Sequence, residues 1–97
     1  MILLPEWNEL EFEWDEDKAA VNLKKHGVSF YDAARIFEDP DRIEYYDAAH
    51  SGEEDRYNTI GLVDDILFVV YTERRETIRI ISARFANRRE RRLYYDG

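Results

Sequence analysis

The run Ile66-Leu67-Phe68-Val69-Val70-Tyr71-Thr72 is apolar at alternate and intervening positions alike. A strand built from it buries both faces, so it reads as the central strand of a sheet. Its surroundings supply the neighbours. Arg56 to Val63 reads as a strand, and Asp64-Asp65 marks a tight turn between the two. Arg74-Arg75-Glu76 makes a second hairpin connection into Thr77-Ile78-Arg79-Ile80-Ile81-Ser82-Ala83-Arg84. Upstream, Arg42 to Ala48 alternates weakly, with Ile43 and Tyr45 on one side and Glu44 and Tyr46 on the other, before a polar loop from Ala49 to Asp55. The result is a meander of four strands.

The first third is helical apart from one strand. Leu10-Glu11-Phe12-Glu13-Trp14 alternates apolar and acidic residues with the period of a half-buried strand. Asp15 stands as N-cap before a helix to His26, with acids in its first turn, bases in its last and Gly27 placed to end it. Ser29 followed by Asp32 resembles a capping box that opens a second helix through Ala33, Ala34, Ile36 and Phe37, stopped at Asp39-Pro40. Asn87 to Tyr95 reads as a short basic helix. The fold class is α+β, in a single domain over residues 1–97, and Trp7 and Trp14 serve the core or a partner surface.

Composition closes off several classes. With 44% apolar residues and few Gly and Pro, the chain has enough apolar surface to order itself, so it is neither a disordered tail nor a repeat array. There is no cysteine, hence no disulfide framework and no thiolate metal site. Neither a signal peptide nor a membrane span is expected, which places the protein in the cytoplasm. The net charge of −8 is unevenly spread. From Thr72 to Gly97 eight arginines face four acids, a net of +4, whereas residues 1–71 carry six basic residues and eighteen acids, a net of −12. Such asymmetry suggests a surface facing a polyanion or an acidic partner, against the plainer reading of a solvated helix face.

Two arginines stand out. Alternation sets Arg79 opposite Ile78, Ile80 and Ser82, so it interrupts an apolar strand in mid-sheet. A guanidinium there must be paired, with Glu54 or Glu73 as candidate partners, or must face an open groove. Arg84 falls at the strand end, pointing into the junction with the helix that carries Arg88, Arg91 and Arg92. Planar guanidinium groups grip phosphate bidentately, and Phe85, Tyr94 and Tyr95 add the stacking surface that single-stranded RNA binding uses.

His26 reads first as a helix C-terminal residue favoured by the dipole, and His50 lies in a polar loop beside Glu53 and Glu54, a better place for acid–base work. Two histidines without cysteine, and no HExxH, make a metal site unexpected, and no cofactor is implied. Gly-rich phosphate loops and GxSxG elbows are absent.

Several segments together resemble one family. Phe12-Glu13-Trp14-Asp15, then Lys18, Asn22 and Lys25-His26-Gly27-Val28-Ser29-Phe30, are similar to the N-terminal signature of the BrnT toxins. Phe37-Glu38-Asp39-Pro40, His50 and Glu54-Asp55-Arg56-Tyr57 resemble its middle. Thr72-Glu73-Arg74, Ile78 to Arg84 and Glu90-Arg91 with Tyr94 resemble its C-terminal block, so the likeness spans about residues 12–95. The resemblance implies a type II toxin with a RelE-like ribonuclease fold, an antiparallel sheet with two N-terminal helices and one C-terminal helix. It also implies an RNA substrate and a BrnA-like ribbon-helix-helix antitoxin, through which alone the complex touches DNA.

On this resemblance Arg79 and Arg84 are expected as phosphate clamps assisted by Arg74, with His50 or Glu54 moving protons and His26 and Lys25 in reserve. Lys25, His26, Arg88, Arg91, Arg92 and Tyr94 are the expected RNA contacts. The competing expectation is a catalytically weak module whose arginine surface holds an acidic antitoxin segment. A third has the basic helix bind DNA directly.

Overall fold

A computed structural model describes residues 10–96; Trp7 lies outside them. A short strand β1 (Glu11–Glu13) leads into helix α1 (Glu16–His26) and helix α2 (Phe30–Ala34), which tightens into a 3₁₀ turn over Arg35–Glu38. Strands β2 (Ile43–Tyr46), β3 (Tyr57–Val63), β4 (Asp65–Arg74) and β5 (Thr77–Phe85) follow, and helix α3 (Arg88–Asp96) ends the described chain.

The local signals act as the residues dictate. Asp15 Oδ1 accepts from the Lys18 N–H at 3.0 Å, and Gly27 at φ 73° donates its N–H to Leu23 O to close α1. Ser29 Oγ accepts from the Asp32 N–H at 2.9 Å to start α2. Asp64 and Arg75, at φ 63° and 57°, turn the two hairpins.

The sheet order is β1-β5-β4-β3-β2, which makes β4 the middle strand. β2 to β5 form the antiparallel meander, but β1 runs parallel to β5, pairing Phe12 with Ile78 and Glu13 with Arg79. The sheet is therefore mixed, not antiparallel as expected. Alternation reveals that a strand exists but not which way its partner runs, and β1 finds its partner across the whole meander.

One face of the sheet is closed. Leu67, Val69 and Tyr71 of β4 and Ile78, Ile80 and Ala83 of β5 lie in one core with Phe30, Ala33, Ile36 and Phe37 of the α2 segment. Gly61 is required here: a Cβ on it would stand 2.5 Å from Ile36 Cγ1. Ile36 is fully buried, and truncating such a side chain typically costs about 2–5 kcal/mol. The opposite face, bearing Tyr45, Phe68, Val70 and Arg84, stays partly open.

Candidate functional site at the open sheet face

The open face begins at an edge. β1 covers β5 only as far as Arg79, leaving the second half of β5 without a strand on the side away from β4. Helix α1 fills the gap with one side chain. Asn22 Oδ1 accepts from the Ala83 N–H at 3.2 Å, and its Nδ2 donates to Ala83 O at 2.8 Å and to Val28 O at 3.0 Å. The carboxamide thus takes the place of the missing peptide group and satisfies backbone that burial would otherwise leave unpaired.

A bulge then sets the face. Tyr71 pairs with Ile80 but Val70 pairs with Ser82, so Ile81 is an extra residue in β5. The expected alternation fails at that point. Ile78 and Ile80 stay in the core, yet Ala83 and not Ser82 follows them inward. Ser82 and Arg84 join Arg79 on the open side. Without the bulge, Arg79 and Arg84 would sit on opposite faces.

Both arginines are paired. Arg79 Nη1 donates to Glu13 Oε2 at 2.5 Å, so its partner is the parallel strand β1 and neither Glu54 nor Glu73. Both expected partners are near Arg79 in sequence order or across the meander, whereas Glu13 reaches it only through the β1–β5 pairing. Arg84 grips Glu90 of α3 through two bonds, Nη1 to Oε1 at 2.8 Å and Nη2 to Oε2 at 2.9 Å. Its guanidinium also lies 4.2 Å from the centre of the Phe68 ring, a cation–π contact worth about 0.5–2 kcal/mol. Hydrogen bonding to Glu90 raises the Arg84 pKa further. Burial works against ionising Glu90, but the Arg84 bonds and the Asn87 N–H hold its carboxyl below the usual range. Asn87 and Glu90 also cap α3 reciprocally, Asn87 N–H to Oε1 at 2.9 Å and Glu90 N–H to Asn87 Oδ1 at 2.8 Å.

The proton-transfer candidates gather at the other end. His50 Nδ1 lies 2.9 Å from Asp47 Oδ2, in a 3₁₀ turn (Ala48–His50) that Asp47 itself caps by accepting the His50 N–H. Burial disfavours charge on Asp47, but its bond to His50 keeps the carboxyl low. Glu54 and Arg74 form an ion pair at 3.6 Å. Thr72, opposite Arg79 in the β4–β5 register, donates to Asp55 O at 2.5 Å and ties this loop to the sheet. Glu54, Arg74 and Arg79 are therefore neighbours at one end, and Arg84 with α3 marks the other. Four register steps separate Thr72 from Phe68, so the two clamp candidates are about 13 Å apart along the sheet.

Lys25 and His26 border the face from the side. With Lys18, Asn22, Ile81 and Ser82 they line a hollow of about 380 Å³ between α1 and β5. On α3, Arg88 and Arg92 are exposed and make no ion pair among the described residues. Arg91 and Tyr94 instead tie the helix to the body: Arg91 Nη1 donates to Oδ1 of Asp65 in β4 at 2.8 Å, and the Tyr94 hydroxyl donates to Oδ2 of Asp39, just after the 3₁₀ turn, at 2.6 Å. Burial and the Asp39 bond push the Tyr94 hydroxyl pKa up.

Sequence reasoning missed Glu13, Asn22, Phe68 and Glu90 as parts of this face. The Asn-x-x-Glu spacing at Asn87 and Glu90 was a legible capping box; the roles of the other three rest on long-range pairing. No group of three or more metal-ligating side chains occurs among the described residues, and none of their helices is long and apolar enough to cross a membrane.

Residues 14–90 match the family model described as ribonuclease toxin, BrnT, of type II toxin-antitoxin system. A 1.1 Å crystal structure of the Brucella abortus ribonuclease toxin BrnT is similar, with a TM-score of 0.65 and 25% sequence identity over 81% of this chain and 99% of that one. No curated protein matches.

Proposed function

This chain belongs to the BrnT family of ribonuclease toxins of type II toxin–antitoxin systems, and from that premise we propose that it cleaves RNA without a metal ion, in the cytoplasm, on the open face of its sheet. The observation that carries the reading is the β5 bulge, which brings Arg79 and Arg84 to one side of the sheet beside Phe68. We take the architecture as RelE-like and residues 1–97 as one domain.

The chemistry follows from the groups present. The RNA backbone lies along the face, with Arg79 and Arg84 meeting separate phosphates, Phe68 supporting Arg84 from beneath and Tyr45 offering ring surface to a base. The 2′-oxygen attacks phosphorus as its proton passes to a base, the bond to the 5′-oxygen breaks, and that oxygen takes a proton from an acid. His50, oriented by Asp47, or Glu54 serves as the proton-transfer group, with His26 and Lys25 bordering the opposite side. Arg79, at the end that holds the proton-transfer groups, stabilises the charge that accumulates on the phosphorane, contributing about 2.7–4 kcal/mol if placed like an oxyanion donor, while Arg84 holds a neighbouring phosphate in place. Arg74 leaves Glu54 to assist, and Arg88 and Arg92 extend the cationic track.

Expression without a partner is expected to arrest growth through loss of translation, and co-expression of a BrnA-like ribbon-helix-helix antitoxin to relieve it. Purified protein is expected to cut RNA with EDTA present. Activity that vanishes on chelation, or that survives Arg79→Ala with Arg84→Ala, contradicts the mechanism.

The same geometry supports a second reading. Arg74, Arg79 and Arg84 are all matched by internal carboxylates, as in a catalytically weak module that mainly binds an antitoxin and joins in operon repression. It predicts a stable complex and no growth arrest.

A further inference from the structure

A different surface stays uncovered among the described residues where β1, α1 and α2 meet. A hollow of about 660 Å³ is lined by Phe12, Trp14, Tyr31 and Ala34, with Arg35 and Glu38 at its rim. A second, of about 290 Å³, adjoins it through Trp14 and Tyr31 and reaches Ala20 and Leu23. Tyr31 is 72% exposed and Leu23 50%. On α1, Ala19, Ala20 and Leu23 follow Glu16 at helical spacing, so they form one stripe beside the hollow. The Trp14 Nε1–H donates to Glu16 Oε1 at 2.8 Å; with its polar tip satisfied inside the chain, the indole ring is left as apolar floor.

The rim is acidic. Among the described residues Glu16 and Glu38 line the two hollows and Asp32 stands next to Tyr31, against Arg35 as the one lining cation, which lies 3.9 Å from Asp32 and 3.6 Å from Glu38. The acids outnumber the cation among the described residues. The open sheet face is the reverse: it presents guanidinium groups at Arg79 and Arg84, which complement a polyanion and not a basic partner.

We propose that the groove at Trp14, Leu23 and Tyr31 docks a segment of a partner protein that presents apolar side chains flanked by Lys or Arg, and that this partner is the antitoxin. The proposal rests on the toxin–antitoxin reading for the partner's identity. Phe12 faces the helix-covered side of the sheet and Arg79 the other, so antitoxin and RNA take different surfaces. The acidic body then has a use: it attracts the basic partner.

The test co-expresses the chain with the product of the neighbouring reading frame and measures the complex by calorimetry at low and high salt. Leu23→Glu with Tyr31→Glu, both exposed, is expected to weaken it at least tenfold at an unchanged melting temperature. Tyr31→Ala is the milder variant if that protein folds poorly. Arg79→Ala with Arg84→Ala is expected to stay within threefold of wild type, and wild-type affinity to fall as salt rises. Loss of the complex in the arginine variant but not in the groove variant overturns the proposal. So does a dimer of the chain alone that Leu23→Glu dissolves. A complex that depends on the groove, in a protein that neither cuts RNA nor arrests growth, upholds the docking site and refutes the ribonuclease reading separately.

Discussion

The two faces of one sheet are stabilised in different ways. The closed face is apolar interdigitation: Ile36 against Gly61, Phe37 tilted against Phe12 and edge-on to Tyr71. The open face is organised by matched charge: Arg79 with Glu13, Arg84 with Glu90, Arg91 with Asp65. The first arrangement supplies most of the stability, because buried apolar area scales directly with free energy and exposed ion pairs do not. The second fixes guanidinium groups in place without removing them from water. A face meant only to stabilise would not need it, which is why the difference points to function.

Breaking the closed face should cost most. Ile36→Ala is expected to lower unfolding free energy by about 3 kcal/mol in a urea melt, the middle of the range for such truncations. Asn22→Ala comes next, because it strands the Ala83 N–H and C=O together with Val28 O. A loss of about 2–3 kcal/mol is expected, with hydrogen exchange quickening at Ala83 first. A change under 0.5 kcal/mol would show that water replaces the carboxamide and that the edge is not sealed from α1.

Glu90→Gln tests the open face. It is expected to cost about 1–2 kcal/mol near neutral pH by weakening the Arg84 bonds while sparing the cap. The pH dependence has a definite sign. The Glu90 carboxyl is held below its ordinary value of 4.5, so its contribution is complete above that pH and is lost as pH falls below it. Wild type should therefore lose its margin over the Gln variant in melts taken from pH 5 downward. An unchanged margin would mean that the pair is not formed in solution. Arg79→Ala is the smallest in stability, under about 1 kcal/mol, since both partners of its pair are partly solvated.

The elements were largely legible in the residues, and their arrangement less so. Asp15, Gly27 and Ser29 announce their caps locally, and the doubly apolar run at Ile66–Thr72 announces β4 as the middle of the sheet. Ile80-Ile81 offers no sign of a bulge, because two adjacent isoleucines suit either register. The open face therefore could not be assembled from alternation alone, and Arg79 and Arg84 were legible as special but not as companions. Glu13 lies far from Arg79 in sequence, and nothing local to either residue pairs them. Charge imbalance was visible from the start; that its acidic part rims an apolar groove required the packing of α1 on α2.

The most direct test of the open face as the cleavage surface separates chemistry from folding. RNA cleavage by Arg79→Ala, Arg84→Ala, Glu90→Gln, which removes the buried acid together with its arginine, is compared with cleavage by Ile36→Val, destabilised on the closed face alone. Cleavage on the open face predicts a loss of at least about 100-fold in the triple variant, equivalent to some 2.7 kcal/mol of transition-state stabilisation, and less than threefold in Ile36→Val under conditions where both are folded. Equal losses in the two, or full activity in the triple variant, would contradict it.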